Sequence, residues 1–434
     1  MNLLYSNDTL GQYPDSWYTA TTPPLPAFAP LSKDISADVC IIGAGYTGLS
    51  AALTLAERGY DVVVLEAQRV GFGASGRNGG QLGSGQNVDQ GKLERMMGAD
   101  DANRLWRLSE DSKDMVKSLI AQHQIECHLK PGIAHMALTS KEMAALHLEA
   151  EYLSDQYGYD QINTLDKAQG QALCPSPVYH GGYLDHGAAH LHPLAFALGL
   201  ARAAKAAGVH IYEQSEVTDM RKGTKPVITC RDGAVTCTHA ILACNGYLGK
   251  LNRKVAGRVM PINNFIAATE PLGKDTAQVL TQDIAVADTK FVVNYFRLSH
   301  DGRLLFGGGE NYSYRFPTNI AAKVRRPMQK IFPHLRDVKI DYAWGGTLAI
   351  TAHRLPYLAR LDNNILSASG YSGHGVGAAT LSGKLMALAI AGQSEGFDTM
   401  ARMPSVPFPG GKWVQSPLLK LAMTWYSLRD NLGI

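Results

Sequence analysis

The 434-residue sequence predicts an α/β architecture in which a parallel sheet is interleaved with an α+β unit on a mainly antiparallel sheet. Three observations carry that expectation. Near the start, a short apolar run, a glycine-rich turn, a helical stretch and a second apolar run follow one another in under thirty residues. Strand, glycine turn and helix return in the same order after Trp344. Between Met260 and Tyr342 apolar and polar residues instead alternate, as in antiparallel strands.

Taken in order, residues 1–36 read as an irregular arm, because Pro23, Pro24, Pro26 and Pro30 interrupt regular pairing, with Trp17 and Tyr18 available to anchor it. Asp38 to Ile42 is a buried strand, Thr47 to Arg58 a helix with its apolar spacing in Leu49, Ala52, Leu53 and Ala56, and Asp61 to Leu65 a second strand. Gly71 to Gly85 is glycine-rich, and Lys92 to His123 is helical. A helix with proline in its first turn spans Pro193 to Ala207, followed by strands at Val209 to Tyr212 and Ala240 to Leu242. Phe291 to Phe296 and Arg303 to Phe306 are alternating strands. Asn364 to Ala368 is again a buried strand, Gly370 to Gly377 a turn and Ala378 to Ala391 a helix. Ser416 to Asn431 reads as a capped amphipathic helix.

Length favours two domains. Residues 37–90, 150–255 and 345–400 form a discontinuous cofactor domain, 91–149 and 256–344 a substrate domain, 1–36 an arm and 401–434 a tail. A balance of 41 basic to 38 acidic residues, without a long basic block, argues against nucleic acid as a partner. The six cysteines lack C-x-x-C spacing and read as reduced packing residues. No basic start and apolar run opens the chain, and no stretch of about 18 apolar residues offers a membrane span, so a cytoplasmic protein is expected.

Gly43-Ala44-Gly45-Tyr46-Thr47-Gly48 fits G-x-G-x-x-G between strand and helix, which lets backbone approach a pyrophosphate and aims helix-start amides at it. Glu66, followed by Ala67, ends the second strand where a carboxylate accepts from ribose hydroxyls. Downstream come Arg69 and Gly71-Phe72-Gly73-Ala74-Ser75-Gly76-Arg77-Asn78-Gly79-Gly80-Gln81, a loop suited to run along a pyrophosphate and the edge of a flavin. Gly370-Tyr371-Ser372-Gly373-His374-Gly375-Val376-Gly377 opens a helix whose N-terminus can stabilise negative charge on a reduced flavin ring. These features indicate FAD over a nicotinamide. His186, His190 and His192 have no firm set of partner ligands, and no metal site is expected.

At these three places the sequence resembles the D-amino-acid-oxidase-like flavoproteins, a family that includes sarcosine and glycine oxidases. Asp185-His186, His190-Leu191-His192-Pro193, Tyr295-Phe296-Arg297-Leu298, Gly307-Gly308-Gly309, Pro407 to Gly411 and Tyr426 to Asp430 extend the resemblance across nearly the whole chain. Within the family they are similar to members that oxidise gamma-glutamylputrescine. The resemblance implies a Rossmann-like FAD domain of the glutathione-reductase type. It places Gly43, Gly45, Gly48, Glu66, Arg69, Ser75, Arg77, Asn78, Gln81, Val217, Gly246, His374, Gly375 and Val376 around FAD. Some members tether flavin to a cysteine between the substrate domain and the last glycine motif; Gly345 to Gly370 contains none, so FAD is expected to be noncovalent.

The chemistry this implies is transfer of a hydride from a carbon bearing a neutral amine to flavin N5, hydrolysis of the imine, and reoxidation by oxygen or another acceptor such as a quinone. Positioning then carries much of the rate. Tyr295, Arg297, His374, Trp344 and His353 are the candidates for shaping the substrate site, with the planar fork of Arg297 suited to a carboxylate. His353 stands where putrescine-related members carry serine, which marks its turn as a candidate substrate contact. Alternatives are oxidation of a D-amino acid or N-methyl amino acid, and a noncatalytic dinucleotide-binding module.

Overall fold

A computed structural model describes residues 2–290, 292–311 and 314–408. Two sheets organise it. In the first, Ile365–Ser369, Ala234–Leu242, Ile35–Ile42, Val62–Leu65 and His210–Tyr212 lie side by side and parallel. Tyr357–Asp362 adds an antiparallel edge strand, and the hairpin Asp219–Arg221 with Val227–Thr229 extends the start of Ala234–Leu242. Val62–Leu65 is buried at every position, as expected of a parallel strand covered on both faces.

Register decides where chemistry can occur. Ile42 pairs with both Leu65 and Leu242, Leu242 with Ser367, and Leu65 with Tyr212. The carboxyl ends of five strands therefore finish in one row, the usual place for a ligand on such a sheet. The first glycine motif, Glu66, the Asn245–Tyr247 turn and the second glycine motif all leave from that row.

Among the described residues the second sheet has nine strands, led by Ile340–Ile350, Met260–Thr269, Leu304–Asn311, Tyr295–Leu298 and Ala285–Asp288. Ala285–Asp288 pairs parallel with Lys130–Met136; the other pairings are antiparallel. Gly182–His190, Ile162–Leu165 and Gln81–Leu82 complete it. The sequence expectation grouped these last three segments with the cofactor domain, yet they hydrogen-bond into the second sheet. Strand type is local, but partner choice depends on which apolar face meets which across the fold.

Boundaries moved elsewhere for identifiable reasons. The long helix divides into Gln90–Met97 and Ala99–Gln122 because Gly98 takes φ +84°, outside helical space. The strand expected at Phe291 to Phe296 begins instead at Tyr295. Asn294 ends a turn there, with its N–H (2.9 Å) and Nδ2 (2.6 Å) on the Asp288 carboxylate. Ser416 to Asn431 lies outside the described residues.

Candidate functional site

Gly43 ends the first strand with φ +106°, and a Cβ there would sit 2.7 Å from the Ala243 carbonyl. A Cβ on Gly48 would strike the Gly43 carbonyl, and one on Gly45 would lie 2.8 Å from Ser75 Oγ. Backbone, not side chain, therefore lines this turn. The following helix, Tyr46–Ala56, receives no cap from its own N-cap residue, Gly45; Ser75 Oγ accepts from the Tyr46 N–H at 3.0 Å instead.

Glu66 accepts from the N–H groups of Ala44 (2.8 Å) and Gln68 (2.9 Å), with the Ala67 amide beside it. Burial pushes its carboxyl up to about 7 despite those donors. Hydroxyl donors from a ribose would relieve that penalty. Val217 is buried within one core cluster with Cys40, Val63 and Leu242, and neither its N–H nor its C=O has a hydrogen-bond partner among the described residues.

The loop from Arg69 to Gln81 is held from several sides. Arg69 Nε lies 2.7 Å from the fully buried Glu213 carboxylate, and Nη2 donates to Leu25 O. Asn78 Nδ2 donates to the Ala74 and Ser75 carbonyls, and its Oδ1 accepts from the Gly80 N–H. Gly73 lies 3.2 Å from the Tyr247 ring by its would-be Cβ, and a Cβ on Gly79 would be 2.6 Å from the Tyr295 ring. Gly80, at φ +80°, passes so close to the Leu191 carbonyl that no side chain fits. Gln81 Nε2 reaches Val286 O at 2.9 Å. Arg77 is buried, and its Nη2 has no hydrogen-bond partner among the described residues.

The second motif meets the first. Tyr371 and Thr47 hydroxyls lie 2.7 Å apart, Ser50 Oγ donates to Thr380 O, and a Cβ on Gly383 would strike Thr47 O. Asn245, at φ +45°, accepts on Oδ1 from the Gly370 N–H at 2.9 Å, bringing Gly246 beside it. The sequence placed Ala243-Cys244-Asn245-Gly246 at a strand end beside the pyrophosphate but gave no sign of the Asn245 bond to Gly370, although an asparagine between a strand and a glycine is a signal for left-handed backbone. Gly373 (φ +93°) precedes His374, the N-cap of Gly375–Ile390; Val376 and Gly377 are buried in its first turn. A Cβ on Gly377 would be 2.5 Å from Ser112 Oγ. The His374 ring abuts Gly83, and burial, then His135 and Lys113, lowers its pKa to about 4.

Of the candidates for shaping a substrate site, Tyr295 stands over Gly79 with its hydroxyl 2.5 Å from Asn264 Oδ1. Arg297 differs from expectation: Nε donates to Gly79 O (3.1 Å), Nη2 to Leu191 O (3.1 Å) and Nη1 to Leu298 O (3.3 Å). Its fork staples backbone in place of meeting a carboxylate. Trp344 is also enclosed, at 2% exposure, donating from Nε1 to Arg77 O. His353 lies in a turn strapped to the second motif through Thr351 N and Ser372 Oγ. His186, His190 and His192 turn to different partners: His192 caps a helix, His190 approaches Asp283 and His186 pairs with Asn163.

This arrangement fits a bound dinucleotide: side-chain-free backbone at a helix start and a penalised carboxylate for hydroxyls. Residues 38–389 match the family described as FAD dependent oxidoreductase. The chain belongs to that family. Over 98% of its length it is 40% identical to all of gamma-glutamylputrescine oxidoreductase from Escherichia coli K12. It is 41% identical to the probable oxidoreductase OrdL of Rhizobium meliloti, across 96% of this chain and 97% of that one. Among solved structures, glycine oxidase from Geobacillus kaustophilus superposes with TM-score 0.69 at 21% identity, covering 82% of this chain and 95% of that one. The fold is therefore that of FAD-dependent amine and amino-acid oxidases, and the protein is an FAD-dependent oxidoreductase. Among the described residues, no helix is long and apolar enough to cross a membrane.

Proposed function

We propose that this flavoenzyme oxidises the primary amine of gamma-glutamylputrescine or a closely related glutamylated polyamine. The observation that carries the reading is 40% identity to a protein of that activity along the whole length of both chains. Bound FAD supplies the hydride acceptor. Loss of a hydride from the carbon and a proton from the nitrogen leaves an imine, which water cleaves to aldehyde and ammonia. Oxygen, yielding hydrogen peroxide, is the proposed electron acceptor.

The chain's own groups have defined parts in this reading. Gly43, Gly45, Gly48, Glu66, Val217 and Gly246 hold the adenosine and pyrophosphate. The loop from Ser75 to Gln81 borders the ring system, stiffened by Tyr295 above it and by the Arg297 staple. His374 stays uncharged at neutral pH, so no imidazolium repels a cationic amine as it docks and sheds its proton. The start of helix Gly375–Ile390 provides a positive dipole end worth about 0.3–2 kcal/mol, enough to tune a potential. The six free cysteines agree with a cytoplasmic enzyme.

Anaerobic mixing with gamma-glutamylputrescine, putrescine, sarcosine and D-alanine, each followed through the oxidised-flavin absorbance near about 450 nm, tests the proposal. Rapid bleaching by the glutamylated amine alone is expected. Bleaching by an amino acid would replace it with an amino-acid oxidase, and a protein no substrate bleaches would favour a binding module.

A further inference from the structure

The second sheet turns one face to its own core and the other to the cofactor loop. On adjoining strands Leu184, Ala134, Val286, Phe296 and Phe306 belong to one buried cluster. Their sequence neighbours Tyr183, His135, Ala287, Tyr295 and Gly307 therefore point the opposite way. Register joins these five into a single row: Tyr183 pairs with His135, His135 with Ala287, Ala287 with Tyr295 and Tyr295 with Gly307.

The row has the shape of a trough. At one end Tyr295 stands over Gly79 and lies back across Gly307, where a Cβ would strike its ring. Ala287, half-buried, is the low point between that ring and His135. At the other end the His135 and Tyr183 rings lie 4.8 Å apart. Neither the His135 ring nitrogens nor the Tyr183 hydroxyl has a hydrogen-bond partner among the described residues, and neither group is sealed inside the protein. Burial lowers the His135 pKa, which keeps the imidazole neutral.

Helix Ser140–Tyr157 packs against the strand that carries Tyr183. Its Glu149 is half-buried and makes no hydrogen bond or ion pair with a described residue. Burial, then Asp89, pushes the Glu149 carboxyl up to about 7, and burial, then Glu149, raises the Tyr183 hydroxyl. An accessible carboxylate penalised in this way favours a cation as partner, while a neutral imidazole and a phenol are donors suited to an anion. Three strand spacings, about 14 Å in all, separate Tyr295 from Tyr183. About ten bonds run from the amine of gamma-glutamylputrescine to its carboxyl carbon, about 12–13 Å when extended.

We propose that this trough binds the glutamyl end of the substrate, with Glu149 taking its α-ammonium and His135 and Tyr183 donating to its carboxylate. The inference rests on the reading that a glutamylated amine is the substrate. It makes these three residues specificity determinants, set apart from the reacting carbon.

The experiment follows anaerobic flavin reduction against substrate concentration for wild type, Glu149→Gln and Tyr183→Phe, at about pH 8, where the Glu149 carboxylate is ionised. Three amines are compared: gamma-glutamylputrescine, glutarylputrescine, which lacks only the α-ammonium, and N-acetylputrescine, which lacks the carboxylate as well. In Glu149→Gln the half-saturating concentration of gamma-glutamylputrescine should rise about tenfold, that of glutarylputrescine should stay within about twofold, and the limiting rates should hold within about twofold. Tyr183→Phe should weaken both carboxylate-bearing amines about fivefold and leave N-acetylputrescine unchanged. Equal weakening of the glutamyl and glutaryl amines by Glu149→Gln overturns the proposal, as does no weakening of either. If Glu149→Gln does not fold, Glu149→Asp, which withdraws the carboxylate by one methylene, should show the same selective loss at about threefold, and no selective loss overturns the proposal. A wild type reduced by an amino acid and by no glutamylated amine overturns the proposed function itself, and the inference with it, before any variant is compared.

Discussion

The hydroxyls of Thr47 and Tyr371 lie 2.7 Å apart, although 324 positions separate them in the chain. Thr47 lies in the first turn of the helix after the first strand and Tyr371 in the turn after the last parallel strand. Their bond joins the two glycine motifs, and both residues are buried. Tyr371→Phe should therefore cost about 1–2 kcal/mol, since the Thr47 hydroxyl loses its partner out of reach of solvent. Urea unfolding of the flavin-loaded protein measures this. An unchanged midpoint would mean that the bond contributes nothing to holding the motifs together.

Glycine substitutions separate crowding from backbone strain. Gly48→Ala places a methyl group against the Gly43 carbonyl, whereas Gly59, at φ +84°, has open space around it. Gly48→Ala should yield protein without bound flavin. Gly59→Ala should keep the flavin and lose about 1–2 kcal/mol, the cost of left-handed backbone for a residue with a side chain. Absorbance of the purified variants reads the first outcome and chemical unfolding the second.

Acid should act through His374. Its pKa falls from 6.5 to about 4 in the fold, so between those values the unfolded chain binds more protons than the native one. The stability this group contributes is complete above pH 6.5 and is lost as pH drops toward 4. His192, lowered to about 3 by burial, has the same sign over a wider window. Melting temperatures of wild type and His374→Gln should thus converge as pH falls from 6.5 to 4. Parallel curves would show that His374 titrates normally.

Lys113 anchors a buried network next to the His374 side of the site. At 2% exposure it donates to Ser84 Oγ (2.5 Å) and Tyr159 OH (3.0 Å), and both hydroxyls donate onward to Asp185. Its Nζ also lies 2.9 Å from Glu110. Lys113→Met leaves those carboxylates without their cation and should cost about 3–5 kcal/mol in unfolding experiments, with partial recovery in Lys113→Arg. A loss below about 1 kcal/mol would show that water already solvates the network.

The first strand, its glycine turn, its helix and the acidic end of the second strand were legible because each depends on short-range signals. Buried strands between charged ends, glycines at fixed spacing and a carboxylate about twenty residues on need no distant partner to be recognised. Arg297 shows where such reasoning stops. An arginine on an alternating strand is compatible with a carboxylate ligand or with backbone carbonyls, and only the approach of Gly79 and Leu191 decides between them. Trp344 is similar: its aromatic side chain suggested a pocket wall, but the fold encloses it beneath Arg77 and edge-on to Tyr18.

What the sequence by itself determined is the dinucleotide half of the molecule and the class of cofactor, because local backbone requirements are written as glycine spacing. Only tertiary structure decided that Gly182–His190 serves the second sheet, that Asn245 clasps Gly370, and that the arm carrying Asp8 closes on Arg77. These are meetings of segments remote in the chain. They depend on strand register and on which buried polar group lacks a partner, and neither quantity exists until the chain has folded.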